Sequence, residues 1–375
     1  MTVKKRNACC ICTYTLENLD LVLNEVPVYM GTVPPTYADD KKYNQKWSIC
    51  ENCGCIQLTD LISLSELYSK NHHNEVVGSI WIEHHIRFAK FISSNHPKNI
   101  IEIGGAHGYL ATLITKELKN VQYTMVEPDT DLVSDDITVV KGYIEDHVEE
   151  INGKDSIIHS HVLEHVYEPI VFLSKIVNEM KSESNMYISF PNIMALIRAQ
   201  GANSLNFEHT YLLLPEQIES VFNSLGLLIV NKIPYLEHSY FYHLKKMGVK
   251  SEIAFLPNVS EKSKQFITMI TDLRSFVSEV NEVIKDLDVP IFLFGAHVFS
   301  QTLAVLGLDV ERIYGIIDNA VSKQNQRLYG TKLLVYPPQV IAEFSSVCVV
   351  LKASHYQQEI KSQLLEINPD TIVLE

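Results

Sequence analysis

The sequence predicts an α/β protein built around a doubly wound, mainly parallel sheet. From residue 99 to about residue 235, short apolar segments alternate with helical patterns, which is typical of parallel strands covered by helices on both faces. A cysteine-rich segment precedes this region, and a second, smaller α/β unit follows it. We therefore expect three domains, at residues 1–70, 71–240 and 241–375.

The alternation of apolar segments and helical patterns places the individual elements. In the central domain the strands are expected at 99–103, 122–126, 137–140, 155–160, 185–190 and 227–233, and the helices at 74–96, 108–118, 168–181 and 215–225. The Tyr- and His-rich segment 237–243 is either the wall of a polar pocket or a solvated loop between domains. In the C-terminal unit we expect helices near 260–287 and 297–306, and strands at 291–295, 313–318, 333–335, 347–351 and 371–374.

The segment NIIEIGGAHGYL, residues 99–110, joins the first central strand to a helix through a glycine-rich turn. Glycines at such a turn let a ligand approach the backbone N–H groups of the helix N-terminus. A carboxylate precedes the turn, and another ends the next strand, where it can accept both ribose hydroxyls. The acid before the turn favours a sulfonium cofactor with an α-amino group over a pyrophosphate. The predicted cofactor is S-adenosylmethionine, bound by Glu102, Gly104, Gly105, Gly108 and Glu127.

Charge and composition limit the partners. The formal net charge is −14 and the sequence has no Lys/Arg cluster, so a nucleic-acid partner is not expected. The basic residues 4–6 precede cysteines rather than an apolar core, and the sequence has no run of 18 apolar residues. We therefore expect no signal peptide, no membrane span and a cytoplasmic protein. A monomer is the simplest oligomeric state.

Six of the seven cysteines fall within the first 55 residues. In a cytosolic chain such clustering points to metal rather than to disulfides. Two C-x-x-C turns, Cys9–Cys12 and Cys50–Cys53, can supply four thiolates to one tetrahedral ion, so a structural zinc site is predicted. Cys10 and Cys55 lie next to these turns and could substitute in register; the alternative is a set of reduced structural thiols.

Polar residues that follow the central strands are candidates for the acid/base residues of methyl transfer. Methyl transfer from a sulfonium requires a deprotonated acceptor near the methyl carbon, which a histidine or a Glu–His pair can provide as general base. Glu208 and His209, together with His165, are the predicted acid/base residues. His159 and His161 occupy alternate positions along one strand and are expected to be structural or to line the cofactor; His161 is assigned to the cofactor.

These motifs together resemble the S-adenosylmethionine-dependent C-methyltransferases that act on nucleotide-linked keto-deoxysugars. Residues 50–57 match the family's C-x-x-C-G-x-x-Q pattern apart from Cys55, residues 102–110 resemble its cofactor loop, and residues 161–166 resemble the segment that brings His165 near the substrate. The resemblance implies an N-terminal zinc-binding domain, a central methyltransferase domain and a C-terminal Rossmann-like domain. It also implies a nucleotide-sugar substrate.

The chain departs from the family where the acceptor would bind. The family's Y-H-E-H loop aligns with residues 206–209, which read N-F-E-H, and the W-N stretch near the C-terminus is replaced by Ser354, His355 and Tyr356. C-methylation needs donors that stabilise an enolate, whereas O-methylation needs only a base. An O- or N-methyltransferase and a non-catalytic S-adenosylmethionine-binding scaffold are therefore the alternatives. An NAD-dependent dehydrogenase is disfavoured because FGAHVF, residues 294–299, contains a single glycine.

Overall fold

The computed structural model describes residues 3–67, 79–253, 258–352 and 357–375. Within these ranges the chain forms three sheets of four or more strands and one long helix that packs between two of them. The replaced stretch at residues 354–356 lies outside the described residues. No helix of the described part is long and apolar enough to cross a membrane.

Pro27, Pro34 and Pro35 led us to expect residues 1–70 to be rich in turns, but the structure places an antiparallel sheet there. Strand β5 pairs with β4, β4 with β2, and β5 also pairs with a strand from the central region. A small ribbon joins β1 to β6. The elements are β1 (Val3–Lys5), β2 (Leu21–Pro27), β3 (Thr32–Val33), β4 (Lys42–Ile49), β5 (Ile56–Leu58), β6 (Asp60–Ile62) and α1 (Leu64–Leu67).

The central sheet has seven strands and confirms the predicted α/β fold. Its elements are α2 (Ser79–Ser93), β7 (Asn99–Ile103), α3 (Tyr109–Glu117), β8 (Gln122–Val126), β9 (Ile137–Val140), β10 (Ser156–Ser160), α4 (Pro169–Glu179), β11 (Asn185–Pro191), α5 (Ile193–Arg198), β12 (Tyr211–Leu212), α6 (Pro215–Ser224), β13 (Leu227–Tyr235) and β14 (Ser239–Lys246). The strand order is β13-β14-β11-β10-β7-β8-β9. Strands β7 to β11 are parallel to one another, and β14 runs antiparallel to both β11 and β13.

Strand β14 corrects the interpretation of residues 237–243 as a loop or pocket wall. The segment enters the sheet between β11 and β13, and its central residues are buried. The order of strands changes direction between β7 and β10, which is where ligands bind in open α/β sheets. The domain boundary predicted at residue 240 falls inside β14.

The C-terminal sheet is parallel throughout, with the order β18-β16-β15-β19-β20. Its elements are α7 (Asn258–Ile284), β15 (Ile291–Phe294), α8 (Val298–Val305), β16 (Gly315–Ile317), β17 (Arg327–Leu328), β18 (Val335–Tyr336), β19 (Val347–Val350), α9 (Gln357–Ile367) and β20 (Thr371–Leu374). Helix α7 begins against the N-terminal sheet, where Phe266 lies 5.3 Å from the ring of Trp47, and ends in the core of the C-terminal sheet at Ile284.

Strand β17 leaves the C-terminal sheet and pairs with β3 near the N-terminus. Arg327, the first residue of β17, donates hydrogen bonds from its guanidinium to both carboxylate oxygens of Asp40, at 2.7 and 2.9 Å. A bidentate pair of this kind fixes orientation as well as distance. The N- and C-terminal parts of the chain are therefore held together directly.

Candidate functional site

The glycine turn connects β7 to α3 at the point where the sheet order reverses. Gly104 and Gly108 have φ angles of 71° and 73°, in the left-handed region that favours glycine. A Cβ on Gly104 would lie 2.5 Å from Cγ2 of Val162, and a Cβ on Gly105 would lie 2.4 Å from Sδ of Met125. The turn therefore requires glycine for its conformation and for its packing.

Glu127 follows β8, directly beside the turn. Its Oε2 accepts a hydrogen bond from the backbone N–H of Ala106 at 2.9 Å, and its Oε1 accepts one from Asp129 at 3.0 Å. Burial raises the pKa of this carboxyl, and the two N–H donors oppose that effect. An ionised carboxylate has about four acceptor positions, so two remain for a ligand such as the hydroxyls of a ribose.

Glu102 lies beneath the turn and is 2% exposed. Its Oε2 accepts a hydrogen bond from the hydroxyl of Tyr123 at 3.0 Å. Burial raises its pKa to about 7; the Tyr123 hydroxyl opposes this shift, and the charge of Glu127 adds to it. The side chain supports the turn from below, because a Cβ on Gly105 would come within 2.9 Å of its Oε2.

A second polar group follows β10 and contains all three predicted acid/base residues. Nδ1 of His165 lies 3.7 Å from Oε2 of Glu208. The rings of His165 and His209 meet edge to face, with centroids 5.0 Å apart. Glu164 joins them, since one ligand atom each of Glu164, His165 and His209 lies within 4.8 Å of the others. The structure thus brings the predicted residues together.

The loop that carries Glu208 and His209 is stabilised by two of its own residues. Oδ1 of Asn206 accepts a hydrogen bond from the N–H of His209 at 2.7 Å, and Phe207 is buried against the ring of Tyr43. Asn206 and Phe207 therefore serve the loop's own conformation and packing. Further along, the hydroxyl of Tyr211 donates to the carbonyl of Leu163, which joins the loop to the segment after β10.

The charges in this group differ from those of isolated side chains. Burial opposes the ionisation of Glu164, but the rings of His161, His165 and His209 outweigh it and lower its pKa to about 2. Burial lowers the pKa of His209 to about 3; His165 adds to the shift, and Glu164 opposes it. At neutral pH Glu164 is therefore ionised and His209 is neutral.

His161 was assigned to the cofactor, and the structure places it beside the turn, next to Val162. Its backbone has a φ of 53°, which is unusual for a non-glycine residue. Its Nδ1 lies 2.9 Å from Oε1 of Glu164, and its ring lies 4.8 Å from that of Trp81. One ring nitrogen of His161 lies within 4.8 Å of a nitrogen of His84 and of His238. This cluster could not be predicted from sequence, because its members come from distant segments.

His159, by contrast, is buried inside β10. Neither of its ring nitrogens has a hydrogen-bond partner among the described residues, and burial lowers its pKa to about 4. Its ring lies 6.2 Å from that of Phe172. It is a neutral core residue.

The four predicted zinc ligands converge in the N-terminal region. Sγ of Cys9 lies 3.5 Å from Sγ of Cys53, and Sγ of Cys12 lies 3.6 Å from Sγ of Cys50. All four sulfurs lie within 4.8 Å of one another. Cys10 and Cys55 form a separate pair, with their sulfurs 3.9 Å apart.

The comparisons with known proteins agree with this geometry. Residues 77–232 match a family model described as a methyltransferase domain. The central region is thus a methyltransferase domain of the Rossmann-like class that uses S-adenosylmethionine, and the prediction of an enzyme is confirmed. A comparison with curated proteins found no match.

Several solved structures resemble the chain. The mitomycin 7-O-methyltransferase MmcR shares 15% identity over 43% of this chain, with a TM-score of 0.36. An O-methyltransferase family protein from Burkholderia thailandensis shares 12% over 45%, with a TM-score of 0.38. The N,N-8-amino-8-demethyl-D-riboflavin dimethyltransferase RosA from Streptomyces davawensis shares 16% over 50%, with a TM-score of 0.39. The match spans 53%, 57% and 62% of those three chains.

Proposed function

Starting from a central methyltransferase domain, we propose that this protein transfers a methyl group from S-adenosylmethionine to carbon of a nucleotide-linked keto-deoxy sugar. The observation that carries the proposal is the convergence of Glu208, His165 and His209 beyond the carboxyl end of β10, the strand that pairs with β7. The sugar rests on the resemblance of the zinc, cofactor and His165 motifs to the sugar C-methyltransferases.

The chain's own residues fit the cofactor at the turn. A Cβ at any of the three glycines would clash with a neighbouring side chain, so the backbone of the turn stays bare. Glu127 follows the adjacent strand and has two acceptor positions left for a ligand. We assign Gly104, Gly105 and Gly108 to the close approach of the backbone and Glu127 to the ribose. Glu102 places its carboxyl beneath the turn, on the side that we assign to the α-amino group, and the charge of that group would favour the ionised carboxyl. The bound cofactor supplies an electrophilic methyl group.

On the acceptor side, His165 is the better base. Its Nδ1 faces Glu208, and a carboxylate in that position orients the ring and stabilises the imidazolium that forms. His209, with a pKa of about 3, is a weak base at neutral pH. We therefore assign proton abstraction to the His165–Glu208 pair and leave His209 as a neutral neighbour that positions the acceptor.

O-methylation is the second candidate, and one observation favours it. Asn206 and Phe207 replace the Tyr and His of the family's loop, and both are buried in the structure. The loop thus lacks two donors that would stabilise an enolate. A hydroxyl acceptor would need the base alone.

The N-terminal cysteines fit a structural zinc ion. Zn–S bonds of 2.3 Å in a tetrahedron place sulfurs about 3.8 Å apart, close to the 3.5 and 3.6 Å of the two nearest pairs. Four thiolates leave no open position, so this ion would serve folding. The turn Cys50–Cys53, here called the knuckle, packs on the methyltransferase domain, because the side chain of Gln217 donates a hydrogen bond to the carbonyl of Cys53 at 2.6 Å.

The test combines binding with turnover. Calorimetry with S-adenosylmethionine should show one site per chain, and no binding would contradict the proposal. Methyl transfer is then measured with nucleotide-linked keto sugars in heavy water. Deuterium wash-in beside the ketone supports C-methylation, whereas methyl transfer without wash-in supports O-methylation.

Variants test the assignment of the base. His165→Gln and Glu208→Gln should lower turnover by roughly 100-fold or more while leaving cofactor affinity unchanged. His209→Gln should have the smaller effect. His96→Gln, at an exposed histidine, is the control. Full turnover in His165→Gln would exclude His165 as the base.

A further inference from the structure

Three histidines from separate elements converge beside the glycine turn, in a cluster that the proposed reaction does not use. His84 lies in α2, His161 follows β10, and His238 lies in the hairpin between β13 and β14. One ring nitrogen from each lies within 4.8 Å of the other two. Trp81 closes one side of the cluster, with its ring 4.8 Å from that of His161 and 4.5 Å from that of His238.

One nitrogen of each ring has a hydrogen-bond partner outside the cluster, and we call the remaining nitrogen the inner one. Nε2 of His84 lies 2.7 Å from Oγ of Ser189, Nδ1 of His161 lies 2.9 Å from Oε1 of Glu164, and Nδ1 of His238 lies 3.1 Å from Oγ of Ser239. Metal-binding histidines almost always have this arrangement, since a carboxylate or other partner on the outer nitrogen fixes the tautomer and orients the ring.

Two inner nitrogens are left without a partner. Nδ1 of His84 and Nε2 of His161 are buried and have no hydrogen bond among the described residues, and the side chain of His84 is 0% exposed. Leaving buried polar atoms unpaired costs free energy.

We propose that His84, His161 and His238 form a binding site for one divalent transition-metal ion of the kind that imidazole favours, such as Zn²⁺. Three protein ligands leave a fourth position for water or another small ligand, as in catalytic rather than structural zinc sites. Binding draws the nitrogens together, from separations of up to 4.8 Å to about 3.3 Å, the spacing that Zn–N bonds of about 2.0 Å require. His161 and His238 are only partly buried, so their rings have room to make this movement.

The ion would be separate from the one held by the cysteines and next to the cofactor turn. Val162, beside His161, packs on Gly104, and His85, beside His84, has its ring 5.6 Å from that of Tyr109 at the start of α3. Glu164 contributes a buried negative charge that offsets the charge of the cation. In this arrangement His161 directs its inner nitrogen to the metal rather than to the cofactor. The site does not depend on the identity of the acceptor.

The experiment uses the full-length protein with zinc retained in the cysteine site and Co²⁺ as the probe. Added Co²⁺ should bind as one further equivalent and show visible ligand-field bands without the intense sulfur-to-cobalt charge-transfer band that thiolates produce. Charge transfer in proportion to the added cobalt would locate it at the cysteines. That result, or no further equivalent, would overturn the proposal.

Variants locate the ion. His161→Gln and His238→Gln should each weaken Co²⁺ binding by more than about 100-fold, and Glu164→Gln by roughly 10- to 100-fold through the outer nitrogen of His161. His85→Gln is the matched control, because Nδ1 of His85 is already bonded to the carbonyl of Trp81 at 2.8 Å. Unchanged binding in both His161→Gln and His238→Gln, or an equal loss in His85→Gln, would refute the site. The cysteine-bound zinc should stay at one equivalent in every variant, which shows that each has folded.

Discussion

The guanidinium of Arg6 donates a hydrogen bond from Nη1 to the carbonyl of Thr210 at 2.8 Å, and the side chain is 7% exposed. The same group reaches the carbonyl of Leu58 at 3.1 Å and, through Nη2, that of Tyr167 at 2.6 Å. Arg6 therefore joins β5 to the two segments that carry the proposed acid/base residues. A residue near the N-terminus thus positions a loop more than half the chain away.

We expect Arg6→Met to destabilise the protein by about 2–4 kcal/mol, because it removes charged donors from buried carbonyls. Turnover should fall by a larger factor than the affinity for S-adenosylmethionine, since Arg6 contacts the segments that carry the proposed acid/base residues. Urea unfolding and steady-state kinetics would measure both effects. Lys4→Met is the control, because its ion pair with Glu168 is exposed and worth at most about 1 kcal/mol.

Gly104→Ala should weaken S-adenosylmethionine binding and lower stability, because the new Cβ would meet Val162 at 2.5 Å. Gly153→Ala separates this clash from backbone strain, because Gly153 also has a positive φ, of 85°, but a Cβ there would lie 4.0 Å from Nζ of Lys181. Gly153→Ala should therefore cost only about 1 kcal/mol. Combining Gly104→Ala with Val162→Ala should recover part of the affinity; no recovery would argue against the clash.

The pH dependence of stability should change in Glu102→Gln. Burial raises the folded-state pKa of Glu102 to about 7 from 4.5, so the folded protein holds a proton that the unfolded chain releases. This stability is fully present below pH 4.5 and is lost as the pH rises to about 7, a change of about 3 kcal/mol. Glu102→Gln should match the wild type at pH 4 and be more stable at pH 8.

Chemical denaturation across that pH range measures the effect. Glu117→Gln, on the exposed surface of α3, is the control and should leave the pH profile unchanged. A Glu102→Gln profile parallel to that of the wild type would show that the carboxyl titrates normally.

Cys12→Ser should abolish zinc binding at the cysteine site and destabilise the whole chain by about 4 kcal/mol or more. The destabilisation extends beyond the N-terminal sheet because Ser263 of α7 donates to the carbonyl of Gly54, which directly follows the knuckle, at 2.6 Å. Cys10→Ala should retain zinc, since the Cys10 sulfur pairs with Cys55 instead. Metal analysis and thermal unfolding distinguish the two variants.

The sequence predicted those parts of the fold whose signals are local. The strands at 99–103, 122–126 and 137–140 agree with β7, β8 and β9, because each is a short apolar run bounded by turns. Strand β14 was not identified, because its sequence SYFYHLKK mixes polar and aromatic residues, and its burial depends on the strands β11 and β13 beside it and on distant helices that cover the sheet. The N-terminal sheet was missed for a similar reason, as its edge strand β12 comes from the central region.

The distinction between local signals and contacts of distant segments also applies to the candidate functional site. Residues that act together within one motif, such as Gly104 and Gly108, could be found from their spacing. Glu208 and His209 were named because they are adjacent, and His165 because it follows a central strand; the family resemblance also pointed to His165. Arg6 and His84 could not be found, because their roles depend on segments that only the folded chain brings near them.

The pairing of β12 at the edge of the N-terminal sheet has a consequence for how the chain folds during synthesis. Strand β5 pairs with Tyr211 and Leu212, and β3 pairs with Arg327 and Leu328. During synthesis the N-terminal segment therefore leaves the ribosome long before the strands that complete its pairing, and these non-local contacts form slowly. The N-terminal sheet is therefore completed only after residues 211–212 have been synthesised. Pairing of β12 with β5 is thus a late step in the folding of this sheet.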